Sequence, residues 1–314
     1  MFKYLHSNNI DICYDTMGDP TQPPLVLIRG LGSQMIAWDD AFCQQLADAG
    51  FWVIRFDNRD VGLSTKFDEA GMPDIAALMS GEEADVPYLL GDMAADVLGL
   101  LDGLNIETAH IVGMSMGGMI AQTVAIEYGA RVRTLTSIMS AINPVDRSAT
   151  DPKVMDALLA PAPTERTAYI EHSVQAERLY YGTGFPFDEA RIRKQYTDSY
   201  DRCFCPAGVT RQMAAVLASG SRVEALRECM IPTLVIHGSE DPLVPVQGGI
   251  DTAEAIPNSE LLIIEGMGHF IVEEVWADVI DAIGQHADER TCSSYSPPSP
   301  PSPPSSPPSI RSSM

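Results

Sequence analysis

The chain predicts an α/β fold: a mostly parallel sheet of eight strands, covered by helices on both faces, with a helical cap inserted between two of the strands. Three observations carry this expectation. Short apolar runs alternate with segments of helical period, the order that builds parallel sheets buried on both faces. From about residue 143 to residue 222 charged helical segments replace the strand runs, and strands resume at Ile231. Between an apolar run and a helix rich in Ala, Val and Ile stands Gly113-Met114-Ser115-Met116-Gly117, a Gly-x-Ser-x-Gly turn.

Taken in order, residues 2–5 and 10–14 read as an antiparallel ribbon, and buried strands follow at 25–28, 52–56, 110–112, 135–138, 233–236 and 261–264. Ala94, Val97, Leu98, Leu101 and Leu104 recur at helical spacing, so this helix lays one face on the sheet, with Asp92, Asp96 and Asp102 expected in water. Residues 111–126 carry no charge, yet a membrane-spanning helix needs about 20 apolar residues and this run is broken by Gly113, Gly117 and Gly118. It reads as strand, turn and buried helix. The expected division is a core of residues 1–142 and 223–290, a cap of residues 143–222, and a disordered Pro/Ser-rich tail, 291–314, whose composition cannot bury a core. A cap so inserted covers the carboxyl edge of the sheet, where open α/β folds bind ligands.

Against 43 acidic residues stand 20 basic ones, a formal charge of −23, which repels phosphate backbones and anionic headgroups. Nucleic acid and membrane surfaces are therefore not expected as partners. No Lys follows a Gly, so the end of a phosphate-binding P-loop is absent. The six cysteines form no C-x-x-C pair and read as free thiols of a reducing compartment; Cys203-Phe204-Cys205 has no His nearby to complete a metal site. The N-terminus has no apolar signal core, so a cytoplasmic location is expected.

A serine hydroxyl is a weak nucleophile unless a base takes its proton and a carboxylate orients that base. Ser115 on its tight turn is the candidate nucleophile. Two later strands end in turn-forming segments that supply the rest: Asp241, in His237-Gly-Ser-Glu-Asp-Pro242, and His269, in Glu265-Gly-Met-Gly-His269. Glu240 competes for the acid role, and Asp241 is preferred because Pro242 fixes the backbone just beyond it. His237 is read as positioning the Asp241 loop, and His286 as a solvated residue near the end of the last helix. A tetrahedral intermediate needs backbone N–H donors. Arg29-Gly30-Leu31-Gly32-Ser33 supplies one at Leu31, and the residue after the nucleophile, Met116, supplies the other. Gly30-x-Gly32 lacks the third glycine of a dinucleotide-binding turn, since position 35 is Met.

These motifs, with FDNRDVGLS at 56–64, GTGFPFD at 182–188 and VIHGSEDPLVP at 235–245, resemble the α/β-hydrolases. Within them, residues 2–288 are similar to cofactor-independent esterases of the aclacinomycin methylesterase type. Arg29 stands where many such proteins have His, and Asp60 where many have Gly. The segment around Asp57 and Arg59 reads as an ion-paired turn. The resemblance implies a carboxylic ester hydrolase acting on a small-molecule ester through an acyl-enzyme, with no metal or organic cofactor. It argues against dehalogenase and epoxide hydrolase chemistry, which uses Asp where this chain has Ser115. Lactone or carbon–carbon bond hydrolysis, perhydrolysis, and ligand binding without turnover are the other readings.

Overall fold

A computed structural model describes residues 2–143 and 150–291; the Pro/Ser-rich segment beyond lies outside them. The strands are β1 (Lys3–Ser7), β2 (Ile10–Met17), β3 (Pro24–Ile28), β4 (Trp52–Phe56), β5 (Ala109–Met114), β6 (Val132–Ile138), β7 (Thr233–Gly238) and β8 (Glu260–Ile264). The helices are α1 (Asp40–Asp48), α2 (Ile75–Met79), α3 (Leu90–Gly103), α4 (Met116–Glu127), α5 (Pro152–Leu159), α6 (Arg166–Tyr180), α7 (Glu189–Arg202), α8 (Pro206–Ala218), α9 (Val223–Arg227), α10 (Val246–Ala255) and α11 (Trp276–Thr291). All eight strands form one sheet in the order β1-β2-β4-β3-β5-β6-β7-β8. β2 is antiparallel to both β1 and β4, and the pairs from β4 to β8 are parallel.

The continuous apolar runs follow from burial on both faces. Along β3, Val26 and Ile28 enter a core with Val97 and Leu101 of α3 and Ile120 and Val124 of α4. Leu25 and Leu27 enter the opposite core with Phe42 and Leu46 of α1 and Val279 and Ile283 of α11. Each such side chain taken from water contributes about 1.5–3 kcal/mol before the entropy of ordering is set against it. Between β6 and β7 run α5 to α9, and the described part of residues 143–222 contains helices and no strand.

Two expectations fail here. Asp96 is not in water: it is 2% exposed and holds Arg59 through Oδ2 to Nε at 2.6 Å, because the broad apolar face of α3 brings that turn against the β4 loop. His286 is buried, not solvated, since it shares the core-facing side of α11 with Val279, Ile283 and Ala287; its Nδ1 lies 3.5 Å from Glu260 Oε1.

Candidate active site

Strands β3, β5, β7 and β8 are parallel neighbours or near neighbours, so the loops leaving their carboxyl ends gather along one edge. Ser115 leaves β5 with φ 57° and ψ −124°, a conformation an L-residue adopts at a cost of about 1–3 kcal/mol. Its surroundings enforce the turn: Ser115 N–H donates to Ile138 O at 2.9 Å, and Ser140 Oγ donates to Ser115 O at 2.8 Å. Glycine is required on both sides of it. A Cβ on Gly113 would stand 2.0 Å from Gly117 O, and one on Gly117 would stand 2.2 Å from Ile28 O. Gly30 lies so close that its Cβ would be 3.0 Å from Ser115 Cβ.

Asp241 and His269 are joined. Asp241 Oδ2 accepts from His269 Nδ1 at 2.6 Å, while Oδ1 accepts from Leu243 N–H and Val244 N–H, each at 2.9 Å. The carboxylate is thereby fixed, and the imidazole keeps Nε2 free to face a hydroxyl. His237 lies against the same carboxylate, Nε2 to Oδ2 at 3.5 Å, and pairs with Val244 O at 2.8 Å. Burial pushes the His237 pKa below its ordinary value, with Asp241 pulling the other way. Glu240 is turned from the imidazole: its Oε2 accepts from Thr183 N–H and Oγ1, at 2.6 and 2.7 Å, and these bonds lower its pKa.

The seat of His269 was not legible from its own loop. Gly268 N–H donates to Tyr181 O at 3.0 Å and His269 N–H to Tyr180 O at 2.6 Å, so the end of α6 holds the histidine backbone. Gly184 N–H donates to Gly266 O at 3.0 Å. GTGFPFD is thus the surface on which EGMGH rests; two glycine-rich segments far apart in sequence were the available signal, and only their contact gives it meaning.

On the other side, Gly32 N–H donates to Gln212 Oε1 at 2.9 Å and Gln212 Nε2 donates to Arg59 O at 2.8 Å, tying the 29–33 loop to α8. Among the described residues Leu31 N–H has no acceptor, and Met116 N–H, first in α4, has no intrahelical one. The 57–60 segment is ion-paired, but to distant partners: Asp57 with Arg202 at 2.7 Å, Arg59 with Asp96, and Asp60 with Arg211 at 2.7 Å. Ser115 and His269 share the edge, with no hydrogen bond between them among the described residues. No group of three metal-ligating side chains is assembled among the described residues.

An elbow serine, an aspartate-held histidine and a glycine-rich loop on one edge of such a sheet define a class, and the chain belongs to it: residues 23–274 match the α/β hydrolase fold family. The chain is 30% identical over 311 residues to the rhodomycin D methylesterase DnrP of Streptomyces peucetius, covering 92% of this chain and 99% of that one. It is 27% identical to 3-oxoadipate enol-lactonase 2 of Acinetobacter baylyi, covering 83% and 87% respectively. Among solved structures, the esterase EaEST of Exiguobacterium antarcticum superposes with a TM-score of 0.73 over 92% of this chain and all of that one; at 18% identity this speaks to fold alone.

Proposed function

We propose that the protein is a carboxylic ester hydrolase of the methylesterase type, working through an acyl-enzyme. Ser115 attacks the ester carbonyl, His269 Nε2 takes its proton and returns it to the leaving alcohol, and Asp241 holds the imidazole and stabilises its cation. Leu31 N–H and Met116 N–H receive the oxyanion. Water then repeats the sequence on the acyl-enzyme, releasing acid and free Ser115. Helices α5 to α8, within residues 143–222, act as the cap. The bond of 2.6 Å between Asp241 and His269, on the edge that bears the strained Ser115, carries this reading. Five unpaired cysteines among the described residues support a reducing, cytoplasmic setting for a small-molecule substrate.

Hydrolysis of methyl and p-nitrophenyl esters by wild type and Ser115→Ala tests it. The variant is expected to lose turnover by three or more powers of ten, leaving only what the oxyanion donors and binding supply. Equal turnover by pure variant and wild type would remove Ser115 from the mechanism. The enol-lactonase relative supports a second reading, ring-opening of a lactone by the same groups; activity on lactones alone in the same panel would favour it.

A further inference from the structure

Buried arginines in this protein come with partners. Arg55 pairs with Asp15 and Asp40, Arg59 with Asp96, and Arg211 with Asp60. Arg222 gives Nε to Gln122 Oε1 at 2.9 Å and Nη2 to Ala141 O at 2.8 Å. Arg29 is the exception among the described residues. It is 8% exposed, its Nε has no acceptor, Nη1 meets only the Met114 thioether at 3.0 Å, and the guanidinium lies 5.1 Å from the Trp38 ring centre. A thioether and an indole face are weak compensation for a cation taken out of water.

The location of this charge is specific. Arg29 immediately precedes Gly30, which packs on Ser115, so the guanidinium is rooted beside the elbow. It lines a cavity of about 30 Å³ together with Trp38, Gln195 and Phe270, the last of these adjacent to His269. That volume holds one or two water-sized groups, the scale of a carboxylate. The acid on its wall, Asp39, is already committed: Oδ1 accepts from Ala41 N–H and Oδ2 from Arg191, both at 2.8 Å. Glu177 of α6 is the main counter-charge acting on Arg29, but it makes no ion pair with it: its Oε1 accepts from Tyr196 Oη–H at 2.5 Å. Burial raises the Glu177 pKa, while the Tyr196 hydrogen bond, His269 and Arg29 pull it down. A guanidinium stays protonated even where burial lowers its pKa. The cavity therefore presents a buried guanidinium that makes no ion pair among the described residues and whose Nε has no acceptor, with planar, forked donors.

We propose that Arg29 is a specificity-determining residue that receives a free carboxylate of the substrate, so that the ester cleaved at Ser115 is a half-ester of a dicarboxylic acid or an ester otherwise bearing one carboxylate. This rests on the ester hydrolase reading above and names its substrate class. The Arg29 fork binds the remote carboxylate, which anchors the acyl portion while the ester carbonyl lies at Ser115.

The test compares monomethyl glutarate with dimethyl glutarate. Wild type is expected to give the half-ester the higher kcat/KM, and Arg29→Met to lower the ratio of half-ester to diester at least tenfold, with Arg29→Lys between them. Because Arg29→Met removes a buried cation that makes no ion pair, its Tm is expected to equal or exceed that of wild type. An unchanged ratio in Arg29→Met overturns the proposal. A second measurement stands apart from turnover: calorimetric titration of Ser115→Ala is expected to show at least tenfold tighter binding of the half-ester than of the diester, and equal or weaker binding overturns the proposal even if Arg29→Met does not fold. If wild type hydrolyses neither ester, the hydrolase reading fails, while the titration still reports on the carboxylate site.

Discussion

Asp60 has a left-handed backbone, φ 70°, at a turn where many similar proteins place glycine. Its side chain accounts for the exchange. Oδ1 accepts from Phe67 N–H and Arg211 Nη2, and Oδ2 from Tyr88 Oη–H and Arg211 Nε, all between 2.7 and 2.8 Å. Asp60→Gly suits the backbone and deletes the ion pair together with the bonds from Phe67 N–H and Tyr88 Oη–H. Leaving Arg211 buried with Asp68 and Gly71 O, each at 3.2 Å, is expected to destabilise by about 3 kcal/mol in urea unfolding. Adding Arg211→Leu should restore most of that loss; a single-variant effect near zero would mean that Asp68 replaces Asp60 fully. The segment around Asp57 and Arg59 reads from the sequence as an ion-paired turn, without naming partners. Their actual partners, Arg202 and Asp96, lie on other elements and could not be chosen by spacing.

At the scale of elements, the β5–turn–α4 unit is local and was legible: an apolar strand, glycines where a Cβ would strike backbone, then a helix. The histidine loop is different, because its geometry is imposed by the end of α6. A Cβ on Gly268 would stand 2.2 Å from Tyr180 O and Tyr181 C, so Gly268→Ala must separate the two segments. Displacing His269 by about 1 Å is expected to lower kcat on a methyl ester by about a hundredfold. Circular dichroism should show the fold retained, although Tyr181, Met267 and Phe270 at this contact belong to one of the two cores. Undiminished kcat would show that the α6 seat does not set the position of His269.

For the molecule as a whole, the sheet divides two cores, and titratable groups caught between them tie stability to pH. His110 is 2% exposed on β5, with Nδ1 and Thr134 Oγ1 2.8 Å apart. Burial, then Arg133 and His286, push its pKa from 6.5 down to about 4. The unfolded chain therefore binds the proton first as pH falls. Stability is full above the unfolded value of 6.5 and declines toward pH 4, by about 3 kcal/mol from this residue at most. His237, shifted the same way, adds to the decline. Unfolding free energies of His110→Asn should vary less between pH 6.5 and pH 4 than those of wild type; parallel curves would exclude His110 as a source of the slope.

By itself the sequence determined the α/β class, the six parallel strands, the Gly-flanked Ser115 turn and the order of Ser115, Asp241 and His269, because periodicity and turn chemistry act between residues close in the chain. Asp241 could be separated from Glu240 only weakly, through Pro242. Tertiary structure decided that Glu240 turns to Thr183 and Asp241 to His269. It also decided that Asp96 and His286 are buried and that the glycines at 182 and 184 seat the histidine loop. The burial of Arg29 without an ion pair, its Nε lacking an acceptor, was likewise settled only by packing. Partners that meet across tens of residues leave no local period, so burial and pairing are settled only when the elements pack.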